Sequence, residues 1–134
     1  MTLRVPRSCL DQIRAAGQDA YPLEACGLLI GRDGEVMQVV PADNISATPD
    51  KAFEVDPQTL IHWQKKLRGT GRCILGSYHS HPDHPAAPSG RDRVRITEDG
   101  QLWVILSVTP DGAGEINFFQ AQEGDFAPLK VSVF

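Results

Sequence analysis

The sequence of 134 residues has no hydrophobic run long enough to cross a membrane and no dense cluster of Lys and Arg. A membrane helix needs about 20 consecutive apolar residues, and nucleic-acid-binding surfaces carry clustered basic residues. We therefore expect no membrane span and no nucleic-acid partner. Residues 1–10 also lack the apolar segment of a secretory signal, so we expect a cytoplasmic protein.

Cysteine is scarce, and the three cysteines show no Cys-x-x-Cys spacing: Cys9, Cys26 and Cys73. An odd number without that spacing is typical of reduced thiols and argues against a disulfide framework. Cys26 and Cys73 adjoin apolar runs, which favours buried thiols over nucleophiles.

Neither hydrophobicity nor net charge is extreme in this chain. Hydrophobic residues make up 41% of it and charged residues 22%, with a formal net charge of -4. Intrinsic disorder requires low hydrophobicity and high net charge, so a globular protein is expected. The length predicts a single domain over residues 1–134.

The hydrophobic pattern predicts three helices and about six strands. Helices are expected over 8–20, from 57 to a stop at 69, and over 89–97, the first of them capped by Ser8. Strands are expected over 26–30, 35–40, 73–80, 102–108 and 115–121, and the short segments 53–55 and 131–134 are further candidates. This mixture predicts a mixed α/β sheet covered by helices.

Two histidines lie at the end of the predicted strand over 73–80. His79 and His81 are two residues apart, so they point to one face, about 6.6 Å apart along the strand, and both rings can reach one ion. Asp92 lies in the next predicted helix and can fold back as a third ligand. Two histidines and a carboxylate leave an open position on a tetrahedral zinc ion, as catalytic zinc sites do.

A hydrolytic zinc site also needs a general base. Glu24 lies just before the apolar strand over 26–30, where a charged side chain can line a pocket at the mouth of the core. At this point the residues leave the choice of base open.

Together these residues resemble the signature of the JAMM metalloproteases, also called MPN+ domains, in their short prokaryotic form. The family pattern H-x-H-x7-S-x2-D occurs here without a departure in spacing as His79, His81, Ser89 and Asp92. The upstream Pro-x-Glu-x-Cys-Gly context occurs at residues 22–27, with Glu24 as its acidic residue. The resemblance extends from about residue 8 to residue 108.

The resemblance implies a role for each residue of the signature. His79, His81 and Asp92 would bind one zinc ion. Glu24 would hold the zinc-bound water, take its proton and pass it to the leaving amine. Ser89 would hydrogen-bond in the site and help to stabilise the tetrahedral oxyanion.

The resemblance also implies a fold and a substrate class. The fold would be the cytidine-deaminase-like three-layer α/β sandwich, with a curved mixed sheet flanked by helices. Relatives cleave peptide or isopeptide bonds at the C-terminal tail of ubiquitin-like proteins. The resemblance to the short prokaryotic members implies ubiquitin-like sulfur carriers or their conjugates as substrates. The chain lacks the length for the insertions with which eukaryotic members grip ubiquitin, so polyubiquitin is a poor candidate.

Less specific interpretations of these residues stay open. His-x-His can be an ordinary strand pair, Ser89 and Asp92 also form a capping box, and Glu24 can be a solvated residue. We assign His84, in the proline-rich loop, to the surface.

Three other functions compete with a zinc peptidase. The main alternative is a non-catalytic MPN scaffold that binds a partner, although such scaffolds typically lack part of the ligand set. A zinc deaminase needs His-x-Glu and Pro-Cys-x-x-Cys, and neither motif occurs. A cell-wall or phage-tail peptidase is disfavoured because neither a second domain nor a secretory signal is predicted. The oligomeric state stays open.

Overall fold

The computed structural model describes residues 2–134 as one sheet with three helices. In chain order the elements are β1 (Thr2–Val5), α1 (Arg7–Ala20), β2 (Cys26–Arg32), β3 (Glu35–Ala42), α2 (Pro57–Lys66), β4 (Cys73–Pro82), α3 (Gly90–Arg93), β5 (Leu102–Thr109), β6 (Gly112–Gln122), β7 (Asp125–Pro128) and β8 (Lys130–Val133). None of the helices in this range is long and apolar enough to span a membrane.

The eight strands form a mixed sheet in the order β7-β6-β5-β4-β2-β3-β1-β8. β4 pairs with β5 in parallel, and β1 pairs in parallel with β3 and β8, whereas the other neighbours are antiparallel. The two outermost strands, β7 and β8, are separated in sequence by Leu129 alone. The sheet must therefore curve until its edges approach each other. This curvature and the mixed pairing confirm the predicted fold class.

Helix α1 lies inside the curve of the sheet, because it contacts β3 and β6 as well as the central strands β4 and β5. Its buried side chains include Leu10 and Ile13. They pack in one core with Val104 and Leu106, which are alternate residues of β5. Burial of this apolar surface is what fixes the helix against the sheet.

The strand alternation separates this core from the opposite face of the sheet. Tyr78 of β4 belongs to the core around α1. The next residue, His79, points the other way and contacts Phe53 and Trp103. The candidate site therefore lies on the face of the sheet that α1 does not cover.

The three predicted helices are present, with differences at their ends. α1 begins after Pro6 without a side-chain cap, so the predicted cap by Ser8 is wrong. α2 begins after Asp56, whose side chain caps it by accepting a hydrogen bond from the Gln58 N–H. α3 ends at Arg93, one turn earlier than predicted. The following Val94 is 85% exposed, so no buried apolar side chain extends that helix.

The strand predictions are correct in the centre of the sheet and incomplete at its edges. β1 and β7 were not predicted, since four residues each are too few for a clear alternation. Residues 53–55 were a candidate strand but make a single bridge, between Asn44 and Val55. β4 continues through Pro82, so both candidate histidines lie within the strand.

Candidate metal centre

The end of β4 brings His79 and His81 together on one side of the sheet. Both are buried, and their Nε2 atoms are 3.0 Å apart. The residue between them, Ser80, points away, and its Oγ accepts a hydrogen bond of 2.8 Å from the Ala25 N–H. This is the alternation expected of a strand.

Helix α3 brings a carboxylate to the two rings. Asp92 is buried, with Oδ1 3.1 Å from the His79 Nε2 and Oδ2 3.3 Å from the His81 Nε2. Ser89 caps the helix: its Oγ accepts from the Asp92 N–H at 3.2 Å, and its own N–H donates to the Asp92 Oδ2 at 2.9 Å. The predicted capping box is therefore present, and it orients the Asp92 carboxylate.

The spacing of these donor atoms fits a zinc ion. Ligand atoms about 2.0–2.1 Å from a tetrahedral zinc ion are about 3.3–3.4 Å apart. Here the two ring nitrogens are 3.0 Å apart, and each has one of the two Asp92 oxygens at 3.1 or 3.3 Å. The His81 Nδ1–H donates to the Pro85 carbonyl at 2.9 Å. When this ring is neutral, the bond leaves the lone pair on its Nε2, which is the arrangement of metal-binding histidines.

A second carboxylate approaches the histidines from the segment before β2. Glu24 is 7% exposed, and one of its oxygens lies within 4.8 Å of a ring nitrogen of each histidine. The structure therefore brings all five residues of the sequence signature into one region, with Ser89 at the start of α3.

Burial and close contacts shift the pKa of each group. Burial raises the pKa of Glu24 to about 7, against the opposing effect of His81. Burial lowers the pKa of His79. For His81, burial favours the neutral ring, but the contacts with Asp92 and the Pro85 carbonyl and the charge of Glu24 together raise the pKa. For Asp92, burial is outweighed by the two histidines, which lower its pKa. Asp92 is thus charged at neutral pH, whereas Glu24 can exchange a proton there.

Aromatic contacts support the His79 ring. Its Nδ1 is buried and has no hydrogen-bond partner within residues 2–134. The Phe53 ring stacks on it with centroids 4.2 Å apart and planes at 17°, and the Trp103 ring meets it edge-on at 5.8 Å. Sequence analysis missed Phe53, since an aromatic residue in a short predicted strand carries no signal for such a role.

A cleft of about 910 Å³ opens over one side of the group. Glu24, His81 and Ser89 line it together with residues of two loops: Asp50, Lys51, His84, Pro85, Ala87, Pro88, Gly90 and Arg91. His84 is exposed, as predicted.

The cysteines take no part in the donor set. All three are free thiols. Cys26 is buried, and burial raises its pKa to about 12, which leaves the thiol protonated and inert as expected. Cys73 is exposed, so its predicted burial is wrong; it is the first residue of β4.

The curved mixed sheet and the buried histidine–carboxylate group define a domain of the JAB/MPN type. More particularly, the chain belongs to the family described as prokaryotic homologs of the JAB domain, which matches residues 6–122.

Proteins of known name support this assignment. The chain is 33% identical to the desampylase of Haloferax volcanii over 94% of this chain and 89% of that protein. It is 41% identical to the probable TtuB-protein conjugate cleaving protease of Thermus thermophilus over 69% of this chain and 62% of that protein. It is also 30% identical to tail tip assembly protein K of Escherichia phage N15, over 77% of this chain and 40% of that protein.

Solved structures share the fold. A Desulfitobacterium hafniense protein superposes with a TM-score of 0.86 at 28% identity, covering 99% of this chain and 93% of that chain. A structure described as a metalloprotease-like zinc site in the proteasome and signalosome, named JAMM, superposes with a TM-score of 0.60 at 20% identity, covering 98% and 99%. The second likeness concerns the fold alone.

Proposed function

We propose that the chain is a zinc-dependent metallopeptidase that hydrolyses peptide or isopeptide bonds at the C-terminal tail of ubiquitin-like or sulfur-carrier proteins. The observation that carries this proposal is the convergence of His79, His81, Asp92 and Glu24 in one buried group beneath an open cleft. The substrate class is supported by relatives named as a desampylase and as a probable TtuB-protein conjugate cleaving protease.

His79, His81 and Asp92 would hold the metal through two ring nitrogens and a carboxylate oxygen. When bound, zinc supplies a Lewis acid that lowers the pKa of water to roughly 7 and polarises the scissile carbonyl. The ionised Asp92 would neutralise part of the charge of the ion, and its hydrogen bond from the Ser89 N–H keeps its carboxylate turned towards the rings.

Glu24 would act as the general base and then as the general acid. Burial brings the pKa of its carboxyl to about 7, close to the pH at which a group can both accept and return a proton. Its place at the cleft allows it to take a proton from the attacking water and to deliver that proton to the leaving amine.

Ser89 would donate a hydrogen bond to the oxyanion. Ser89 lines the cleft, and its Oγ accepts a hydrogen bond from the Asp92 N–H. That acceptor role leaves the hydroxyl proton for a group in the cleft. A preorganised donor of this kind stabilises charge that develops in the transition state.

The proposed setting is a cytoplasmic one, with residues 1–134 acting as a single JAMM domain. Three free thiols are typical of a reducing compartment. The alternative is a non-catalytic MPN scaffold that binds a partner.

Cleavage assays decide between these functions. Fusions and isopeptide conjugates of small ubiquitin-like and sulfur-carrier proteins are incubated with wild type, with Glu24→Gln and with Glu98→Gln, a matched change at an exposed position. The proposal expects cleavage by wild type and Glu98→Gln and none by Glu24→Gln, with zinc retained in all three. Zinc-loaded wild type that binds these proteins but cleaves none of them would establish the scaffold.

A further inference from the structure

The Asn44 side chain forms hydrogen bonds with backbone groups near the candidate site through both its amide nitrogen and its amide oxygen. Its Nδ2 donates to the carbonyls of Glu24 and Ala52, each at 3.0 Å, and makes a longer contact of 3.5 Å with the Pro49 carbonyl. Its Oδ1 accepts from the N–H groups of Ser46 and Glu54, each at 3.0 Å. A side-chain amide offers two donor hydrogens and two acceptor lone pairs, so all four are used.

One of these bonds holds the segment that carries the candidate base. The Glu24 N–H donates to the Pro49 carbonyl at 2.7 Å, and the next N–H, of Ala25, donates to the Ser80 Oγ at 2.8 Å. Three hydrogen bonds therefore hold the backbone around Glu24, and Asn44 donates the one to the Glu24 carbonyl. Precise placement of a reacting side chain depends on such support.

Two other bonds of Asn44 flank Phe53, because they go to residues Ala52 and Glu54. Phe53 is buried and stacks on the His79 ring. A metal-binding histidine usually has its second nitrogen held by a hydrogen bond, and the structure provides His79 with ring stacking instead. Asn44 thus joins the support of the base to the support of one histidine.

We propose that Asn44 is a positioning residue, which fixes Glu24 and Phe53 relative to each other and so keeps the base aligned with the histidines. This inference rests on the proposed function for its kinetic consequence. Its structural consequence, a backbone held at Glu24 by a side chain 20 positions away, can be measured without any substrate.

The test compares Asn44→Ala and Asn44→Asp in the full zinc-loaded chain. Alanine removes all of these hydrogen bonds. The isosteric aspartate keeps the two that are accepted from Ser46 and Glu54 and loses those that are donated. The aspartate variant therefore provides the test if the alanine variant does not fold. We expect kcat to fall about 10–100-fold in both variants with KM unchanged, as for other supports of metal sites. Amide hydrogen exchange measured by NMR is expected to accelerate at Glu24 and Ala25.

The control is Val36→Ala, a truncation in the core around α1. It lowers thermal stability without touching the Asn44 bonds, so kcat and exchange at Glu24 are expected to match wild type when measured well below its melting temperature. Equal losses of kcat in the Val36 and Asn44 variants would overturn the positioning role, as would unchanged exchange at Glu24 in both Asn44 variants. If wild type cleaves no substrate, the proposed function fails, and the exchange data still decide the role of Asn44.

Discussion

Ser89 and Asp92 exchange two hydrogen bonds, and the same pair closes the start of α3 and aims a carboxylate at two histidines. The capping and metal-site interpretations of this S-x-x-D motif are therefore compatible. The Asp92 Oδ2 receives the Ser89 N–H and still lies 3.3 Å from the His81 Nε2. A local helix signal thus positions the proposed ligand Asp92 beside the two histidines of a strand.

The two roles of Ser89 can be separated by comparing Ser89→Ala with Ser89→Gly. Alanine at an N-cap costs about 1 kcal/mol of the free energy of unfolding, and glycine only about a few tenths. Both variants lack the hydroxyl, so we expect similar losses of kcat, about 10²-fold for one missing oxyanion donor. Denaturant unfolding and steady-state kinetics measure the two effects. If kcat falls in Ser89→Ala but hardly in Ser89→Gly, in parallel with the free energy of unfolding, Ser89 acts only as the helix cap.

The raised pKa of Glu24 predicts a pH-dependent stability of zinc-stripped protein. The unfolded carboxyl titrates near 4.5 and the folded one at about 7. Between these values the unfolded chain releases the proton first, so rising pH favours unfolding. Glu24→Gln lacks this effect. We expect the melting temperature of Glu24→Gln, relative to that of wild type, to rise between pH 4.5 and about 7 and to stay constant above that. A difference in melting temperature that is the same at all pH values would contradict the raised pKa.

Removal of the Phe53 ring, which stacks on the His79 ring, is expected to weaken metal binding. Phe53→Leu removes the stacked ring but keeps an apolar side chain, and we expect zinc affinity to fall about 10-fold, in the range of other supporting contacts. Competition with a chromophoric chelator measures the affinity. Phe119→Leu is the matched control, because Phe119 contacts Phe126 rather than His79. Equal affinities in the two variants would remove Phe53 as a support.

The residues of the candidate site could be predicted because local rules place them. Alternation along a strand puts His79 and His81 on one face, and the capping box fixes Ser89 against Asp92. Family resemblance then added Glu24, which the strand pattern alone left open.

The supports of the site could not be predicted in the same way. Asn44 and Phe53 lie in a segment without regular secondary structure, and their partners are set by long-range contacts with Glu24 and His79. No periodicity in the sequence encodes such pairs. The edge strands β1 and β7 were missed for a related reason, since each is recognised by its pairing in the sheet rather than by its own four residues.

The central claim is that the two histidines of β4 hold a zinc ion. Metal content measured by plasma mass spectrometry on protein purified without a His-tag tests it most directly, beside a His79→Ala/His81→Ala double variant. The account predicts about one zinc per chain in wild type, since its donor set makes a single site, and none in the variant. Wild type that takes up no zinc even after reconstitution, or a double variant that keeps it, would contradict the claim.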